Sequence, residues 1–301
     1  MQLGMIGLGK MGLGLALKLM DKGHAVVGYD ISAENTERFM AEGGRVENTI
    51  EGIVSSFGDG LKAILLMVPA GKTIDDLLQR LEPFLKKGDI VVDCGNSNYH
   101  DTQRRYFELC DKGVCFLDCG TSGGPHGARH GACTMIGGDR EAFETLRPVF
   151  EDISLPGGCL YVGQTGSGHF VKMIHNGIEY GMMQSIAEGF EILHRSEYDI
   201  DLCKLSKLWN NGSVIRGWLM ELVHAALSKD SDLSGIRGIV HSSGECKWTV
   251  ETALDYEIPA PVIALSLMMR NRSLQDDTFS GKLVAALRNE FGGHDVVAEK
   301  H

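Results

Sequence analysis

The chain has 301 residues, enough to bury one large core or two ordinary ones, and its 43% hydrophobic and 23% charged residues are those of a soluble globular protein. Its 29 basic residues face 40 acidic ones, a formal charge of −11, which argues against nucleic acid as the main partner and means that an anionic substrate needs local basic groups. No apolar run approaches the roughly 20 residues that span a bilayer, and the eight scattered cysteines contain no CxxC pair, so a membrane span, a zinc site and a disulfide framework are not expected.

The chain opens without a signal peptide, directly on a short apolar strand, Gln2–Ile6, which with the reduced cysteines predicts a cytoplasmic protein. Gly7-Leu8-Gly9-Lys10-Met11-Gly12 follows and leads into a helical pattern from Leu13 to Met20. This is GxGxxG in the context that it requires, after a strand and opening a helix. Gly7 makes the turn, Gly9 lets a pyrophosphate approach the backbone, and Gly12 lets helix and strand pack closely. The helix N-terminus offers free N–H groups to the phosphates. A second strand, Ala25–Tyr29, ends in Asp30, at the spacing of the acid that accepts hydrogen bonds from the adenosine ribose. Such an acid repels a 2′-phosphate, and neither Ile31 nor Ser32 is the arginine that would welcome one, so NAD is expected over NADP. Ser32 caps the next helix, which frees Asp30 from that role.

Helices are expected near Ala33–Ala41, Thr49–Phe57, Lys72–Leu81, Asp101–Cys110 and Arg140–Phe150, and strands at Ala63–Val68, Ile90–Asp93, Val114–Asp118, Cys133–Gly138 and Cys159–Val162. The alternation predicts an α/β, Rossmann-type, mostly parallel sheet with ligands at the carboxyl ends of its strands. At those ends stand Val68-Pro69-Ala70, Asn96-Ser97 and Ser122-Gly123-Gly124; His126, Arg129 and His130 read as loop residues.

From Gly166 the pattern is helical throughout, so residues 1–165 form the expected dinucleotide-binding domain and residues 166–301 an all-α substrate and dimerisation domain. Its first helix runs from about Ser167 to His194, with others near Leu202–Trp209, Arg216–Leu227, Lys247–Leu254, Pro261–Arg270 and Ser280–Phe291. On the first, Lys172, His175, Asn176, Glu179 and Tyr180 fall at i, i+3, i+4, i+7 and i+8, one face of a helix whose intervening positions are apolar or small. A solvated face would carry several Lys and Glu at pairing distance. This one carries a base, an acid and neutral hydrogen-bonding groups, the makings of a site in a cleft.

These residues, with Asp93-Cys94-Gly95-Asn96-Ser97, Lys247-Trp248-Thr249 and Arg288-Asn289-Glu290-Phe291-Gly292-Gly293-His294, resemble the decarboxylating 6-phosphogluconate dehydrogenases of the β-hydroxyacid dehydrogenase superfamily. The resemblance covers nearly the whole chain, at the length of the family's short branch. It implies Lys172 as the base that takes the C3 hydroxyl proton and then polarises the keto oxygen, and Glu179 as the acid that protonates C1. Burial that favours the neutral amine suits such a lysine.

It further implies Asn96, His175 and Asn176 as sugar contacts, Ser122, Gly123 and Gly124 as carboxylate contacts, and Tyr180, Arg270 and Arg288 as holders of the 6-phosphate, with His294 on the same tail. Gly7, Leu8, Gly9, Met11, Gly12, Asp30, Val68, Pro69 and Asn96 would meet the NAD; no metal is implied. In the family the Arg288–His294 segment comes from the neighbouring subunit, so a homodimer or larger assembly should complete the site. Two departures stand out: Ser243-Gly244-Glu245 where long members carry Lys-x-Thr, and Val68-Pro69-Ala70 where they carry a lysine.

Two other readings stand beside this one. A sibling β-hydroxyacid dehydrogenase would act on an unphosphorylated acid such as 3-hydroxyisobutyrate, but its pattern lacks Glu179 and the Arg/His tail. A catalytically silent dinucleotide-binding protein would have lost the lysine.

Overall fold

The computed structural model describes residues 1–298; positions 299–301, the end of the expected helical domain, lie outside the described residues. The chain divides into two compact units, Met1–Asn176 and Gly177 onward. The first contains β1 (Gln2–Ile6), α1 (Lys10–Asp21), β2 (Ala25–Tyr29), α2 (Ala33–Ala41), β3 (Arg45–Val46), α3 (Ile50–Ser56), β4 (Ala63–Leu66) and α4 (Lys72–Leu81). It continues through β5 (Ile90–Asp93), α5 (Tyr99–Cys110), β6 (Cys115–Ser122), α6 (Gly124–His130), β7 (Ala132–Gly138), α7 (Arg140–Ile153) and β8 (Ser154–Gly163), and ends on the opening turns of α8 (Ser167–His194).

The strands form one sheet in the order β3-β2-β1-β4-β5-β6-β7-β8, parallel except where β6 meets β7. Side chains alternate across it, as the pleat requires. Leu3, Met5, Leu65 and Val92 pack with Leu15, Ala128, Leu146 and Phe150 on one face, and Ile6, Ile64, Leu66 and Val91 with Ile53, Ile74, Leu78 and Leu109 on the other. Helices thus cover both faces, and each fully buried leucine or isoleucine contributes about 1.5–3 kcal/mol. The order reverses between β1 and β4, which opens a crevice at the carboxyl ends of those strands.

Short β3 was not expected, β8 begins earlier than expected, and the segment after Ser122 changes its class. His126, Arg129 and His130 belong to α6 rather than to a loop. Gly123 (φ +118) and Gly124 (φ +59) swing the chain out of β6, Pro125 presets the first turn, and Gly131 (φ +136) ends the helix after seven residues. Such a helix is written in punctuation, since it is too short to show periodicity.

The break between units falls inside α8, whereas the change from strands to helices comes near residue 165. The start of α8 belongs to the sheet because Gly168 lets it in: a Cβ there would stand 2.5 Å from both Asp118 O and Met135 O. Buried Asp118 caps this end, accepting the Gly166 and His169 N–H groups at 2.8 Å each. Burial pushes its carboxyl above the usual range, against the pull of His169 and those N–H groups.

The second unit holds the rest of α8, then α9 (Leu202–Trp209), α10 (Trp218–Leu227), α11 (Gly244–Asp255), α12 (Pro261–Ser273) and α13 (Phe279–Gly292). Asp201 and Thr278 cap α9 and α13 with their side chains, Pro261 opens α12, and Gly293 in the left-handed region closes α13. Tyr180, Met220, Leu227 and Cys246 are buried, but α13 buries none of its residues and exposes Phe279, Leu283, Val284, Leu287 and Phe291. Among the described residues no helix is long and apolar enough to cross a membrane.

Candidate active site

A cleft of about 310 Å³ lies at the carboxyl ends of β1, β4 and β5, lined by Gly9, Lys10, Met11, Gly12, Met67, Val68, Pro69, Cys94, Gly95, Asn96 and Thr121. The glycine-rich turn is built for close approach. A Cβ on Gly12 would stand 1.9 Å from Gly7 O, whereas one on Gly9 would meet nothing within 4 Å. Gly9 also begins α1 without a side-chain cap, which leaves the N–H groups of that end for an anion. The residues therefore fit a dinucleotide, whose pyrophosphate Gly9 and the α1 N-terminus would hold. Gly9→Ala is expected to leave the urea midpoint unchanged and weaken NADH binding at least tenfold, read by fluorescence titration. Gly12→Ala should instead cost stability, about 1–3 kcal/mol. Equal losses of stability would contradict the assignment.

Leu8 is placed differently. Its side chain is fully buried in the core, and its N–H donates to Asp30 Oδ2 at 2.6 Å, so it holds the turn and does not line the cleft. Asp30, just past β2, also accepts from Ser32 N at 2.8 Å and Asn35 Nδ2 at 3.2 Å, while Ile31 is 92% exposed. Ser32 caps α2, as expected.

At the far end of the cleft, Asn96 adopts φ +53, a conformation that asparagine tolerates better than most residues, and its Oδ1 accepts the Thr121 N–H at 3.2 Å. This ties the loop after β5 to β6. Next along β6, Gly120 makes room for α8: a Cβ there would stand 2.4 Å from Lys172 Cβ. Lys172 is 5% exposed. Its Nζ donates to Asn176 Oδ1 at 2.7 Å and stands 3.4 Å from His175 Nδ1. His175 Nδ1 lies 3.0 Å from the same Asn176 oxygen, and Nε2 lies 3.2 Å from Ser122 Oγ. With Nδ1–H on Asn176, Nε2 is left to accept the Ser122 hydroxyl proton. Ser122, Lys172, His175 and Asn176 thus form one connected polar group, followed by the Gly123-Gly124 turn.

In the second unit, Tyr180 and Arg270 come together. The guanidinium carbon lies 3.3 Å from the ring centroid, and Tyr180 Oη accepts Ser243 N–H at 3.2 Å and lies 3.3 Å from Ser243 Oγ. Ser243-Gly244-Glu245 opens α11, and Glu245 stands in its first turn, where the helix N–H groups favour a carboxylate; its Oε2 is buried without a hydrogen-bond partner. Glu179 lies two turns beyond Lys172 along α8 and is half-buried. Arg288 and His294 are exposed at the end of α13, where His294 N–H donates to Arg288 O at 3.4 Å.

Several residues beneath the site lie outside every motif of the sequence. His169 is buried between Thr102 Oγ1 (2.8 Å) and Asp93 O (3.1 Å), and Arg105 is buried against Asp93 and Ser97. The clue was available: Asp93 ends an apolar strand, Asp118 follows an apolar run inside β6, and Thr102, Arg105 and Leu109 share the buried face of α5. Among the described residues no group of three or more His, Cys, Asp or Glu side chains is arranged to hold a metal ion, and all eight cysteines are free.

A doubly wound sheet with a glycine turn at its switch point, and a buried lysine at the strand ends, defines the class: an oxidoreductase that binds a nicotinamide dinucleotide. Residues 2–163 match the NAD binding domain of 6-phosphogluconate dehydrogenase, and residues 168–279 match the C-terminal domain of 6-phosphogluconate dehydrogenase. The chain belongs to the 6-phosphogluconate dehydrogenase family. It is 52% identical over 294 residues to YqeC of Bacillus subtilis (strain 168), a provisionally named 6-phosphogluconate dehydrogenase, covering 98% of each chain. It is 45% identical over 298 residues to the NAD(+)-dependent, decarboxylating 6-phosphogluconate dehydrogenase of Haloferax volcanii, again covering 98% of each. The Plasmodium falciparum 6-phosphogluconate dehydrogenase structure matches with a TM-score of 0.84 and 30% identity, covering 99% of this chain and 66% of that longer one. A Mycobacterium tuberculosis 3-hydroxyisobutyrate dehydrogenase, at 19% identity and a TM-score of 0.72 over 91% of this chain and 94% of that one, shares the fold.

Proposed function

We propose that the chain oxidatively decarboxylates 6-phosphogluconate to ribulose 5-phosphate and CO2, with NAD as hydride acceptor. The observation that carries this reading is Lys172, buried at the end of β6 and held by Asn176 and His175 beside Ser122. When bound, the dinucleotide accepts the hydride from C3 of the sugar acid. Lys172, as the neutral amine, takes the C3 hydroxyl proton. The resulting ammonium then hydrogen-bonds the C3 keto oxygen and draws electrons from the breaking C1–C2 bond as CO2 leaves. Glu179 supplies the proton that C1 of the product needs.

Ser122, Gly123 and Gly124 orient the carboxylate, Asn96, His175 and Asn176 the hydroxyls, and Tyr180 and Arg270 the phosphate, for which the guanidinium fork is suited. A partner subunit's α13 brings Arg288 and His294. The apolar residues that α13 exposes support this assignment, because a helix with no buried side chain has only association left to cover it.

NAD is favoured because Asp30, held by Leu8, Ser32 and Asn35, stands at the ribose position and the residue after it is an exposed isoleucine rather than an arginine that would welcome a 2′-phosphate. Steady-state kinetics should give kcat/KM for NAD at least tenfold above that for NADP. Parity or the reverse order would refute the preference.

A further inference from the structure

Arg105 is fully buried, and its guanidinium divides four contacts between two segments, Gly71–Asp75 and Asp93–Ser97. Nε donates to Asp75 Oδ1 at 2.8 Å and Nη2 to Gly71 O at 2.9 Å; Nη1 donates to Ser97 Oγ at 3.1 Å and lies 3.4 Å from Asp93 Oδ2. Asp93 in turn accepts from Ser97 Oγ at 2.7 Å and Gly95 N at 2.9 Å. Strands β4 and β5 are tied at their ends by Cys94 N donating to Leu66 O at 2.9 Å. Past that bond run the Met67–Gly71 and Cys94–Ser97 loops, which carry Met67, Val68, Pro69, Cys94, Gly95 and Asn96 of the cleft wall. Arg105 bonds to the ends of both, at Gly71 O and at Ser97 Oγ.

Its neighbour makes the contrast. Arg104 also donates to Asp75 at 2.8 Å, but its side chain is 46% exposed and its other partners, Glu108 and Asp101, lie on its own helix. Burying a guanidinium is costly, and an apolar side chain of similar size usually stabilises a core as well or better. What an apolar residue cannot do is fix two backbone segments at a set spacing through a planar fork of donors. Asp75 fits this picture. Burial raises its carboxyl, yet the hydrogen bonds from Arg105 and Arg104 outweigh burial and hold it below its usual value.

The geometry points to Arg105 as a positioning residue for the dinucleotide, one that holds the Val68–Gly71 and Asp93–Ser97 loops in register so that the cleft wall between them is preformed. This rests on the reading of the cleft as the dinucleotide site. The test compares Arg105→Met, Asp75→Ala and Arg104→Met in the full chain, by thermal melting, by NADH fluorescence titration, and by kcat and KM for both substrates.

Arg105→Met is expected to raise the NADH Kd and the dinucleotide KM at least fivefold, with the sugar-acid KM moving less than threefold. Arg104→Met should leave NADH binding as in the wild type. A folded Arg105→Met variant with NADH Kd raised less than fivefold would overturn the proposal, as would an equal effect of Arg104→Met. Where Arg105→Met does not fold, Asp75→Ala decides, because Asp75 is half-exposed and alanine removes the oxygen that accepts from Arg105 Nε: a threefold or greater rise in Kd supports the role and a smaller one overturns it. Wild-type protein that binds NADH without turning over 6-phosphogluconate would count against the proposed reaction alone, since the NADH comparison still reads out.

Discussion

Lys172→Met is expected to fold, to bind the sugar acid within a few-fold of wild type, and to lose about 10³-fold in kcat, about 4 kcal/mol of barrier. Methionine matches the aliphatic stem in volume and needs no partner when buried, so the core loses little. What disappears is the group that must change protonation state twice in one turnover, first as base toward the C3 hydroxyl and then as donor to the keto oxygen. Both acts occur in transition states, which is why the loss should fall on kcat rather than on binding. Asn176 Oδ1 loses its 2.7 Å donor in the variant, but His175 Nδ1 remains 3.0 Å away. A kcat within tenfold of wild type would remove Lys172 from its role.

Co-expression of Lys172→Met and Arg288→Met chains, each inactive alone, is expected to restore about a quarter of wild-type activity. Random pairing makes half of the dimers hybrid, and each hybrid has one site with both groups intact if α13 reaches across a two-fold interface. If Arg288 served its own subunit, both sites of every hybrid would stay defective and nothing would return. A companion variant addresses the interface: Leu287→Asp puts a charge on the exposed apolar face of α13. It should give a monomer by light scattering, with kcat/KM down at least 100-fold. A fully active monomer would contradict the shared site.

How legible the site was depends on what each residue advertises. The Lys172–Tyr180 stripe stood out because polar groups recur at helical spacing among apolar ones, and α8 spans Ser167–His194 as that pattern predicted. The glycine turn was legible because each glycine answers a separate steric demand; Gly12 and Gly9, the crowded and the open position, show this directly.

Arg105 was not legible. Adjacent arginines on a helix project about 100° apart, so one can be buried and the other solvated, and nothing in a single pair of letters says which. The Thr102–Arg105–Leu109 spacing held the answer, but a charged residue in an apolar register is easily read as surface. Leu8 illustrates a different limit: the motif marks its backbone, while the side chain serves the core. Helix α6 was hidden because seven residues framed by glycine look like a loop until the left-handed turns at Gly123 and Gly131 are seen.

The decisive measurement incubates the purified chain with 6-phosphogluconate and NAD and follows NADH and CO2 together. One CO2 should be released for each NADH formed, with ribulose 5-phosphate as the product. NADH without CO2 would mean that oxidation at C3 is not followed by loss of the carboxyl, and Lys172 would then serve a simple hydroxyacid dehydrogenase.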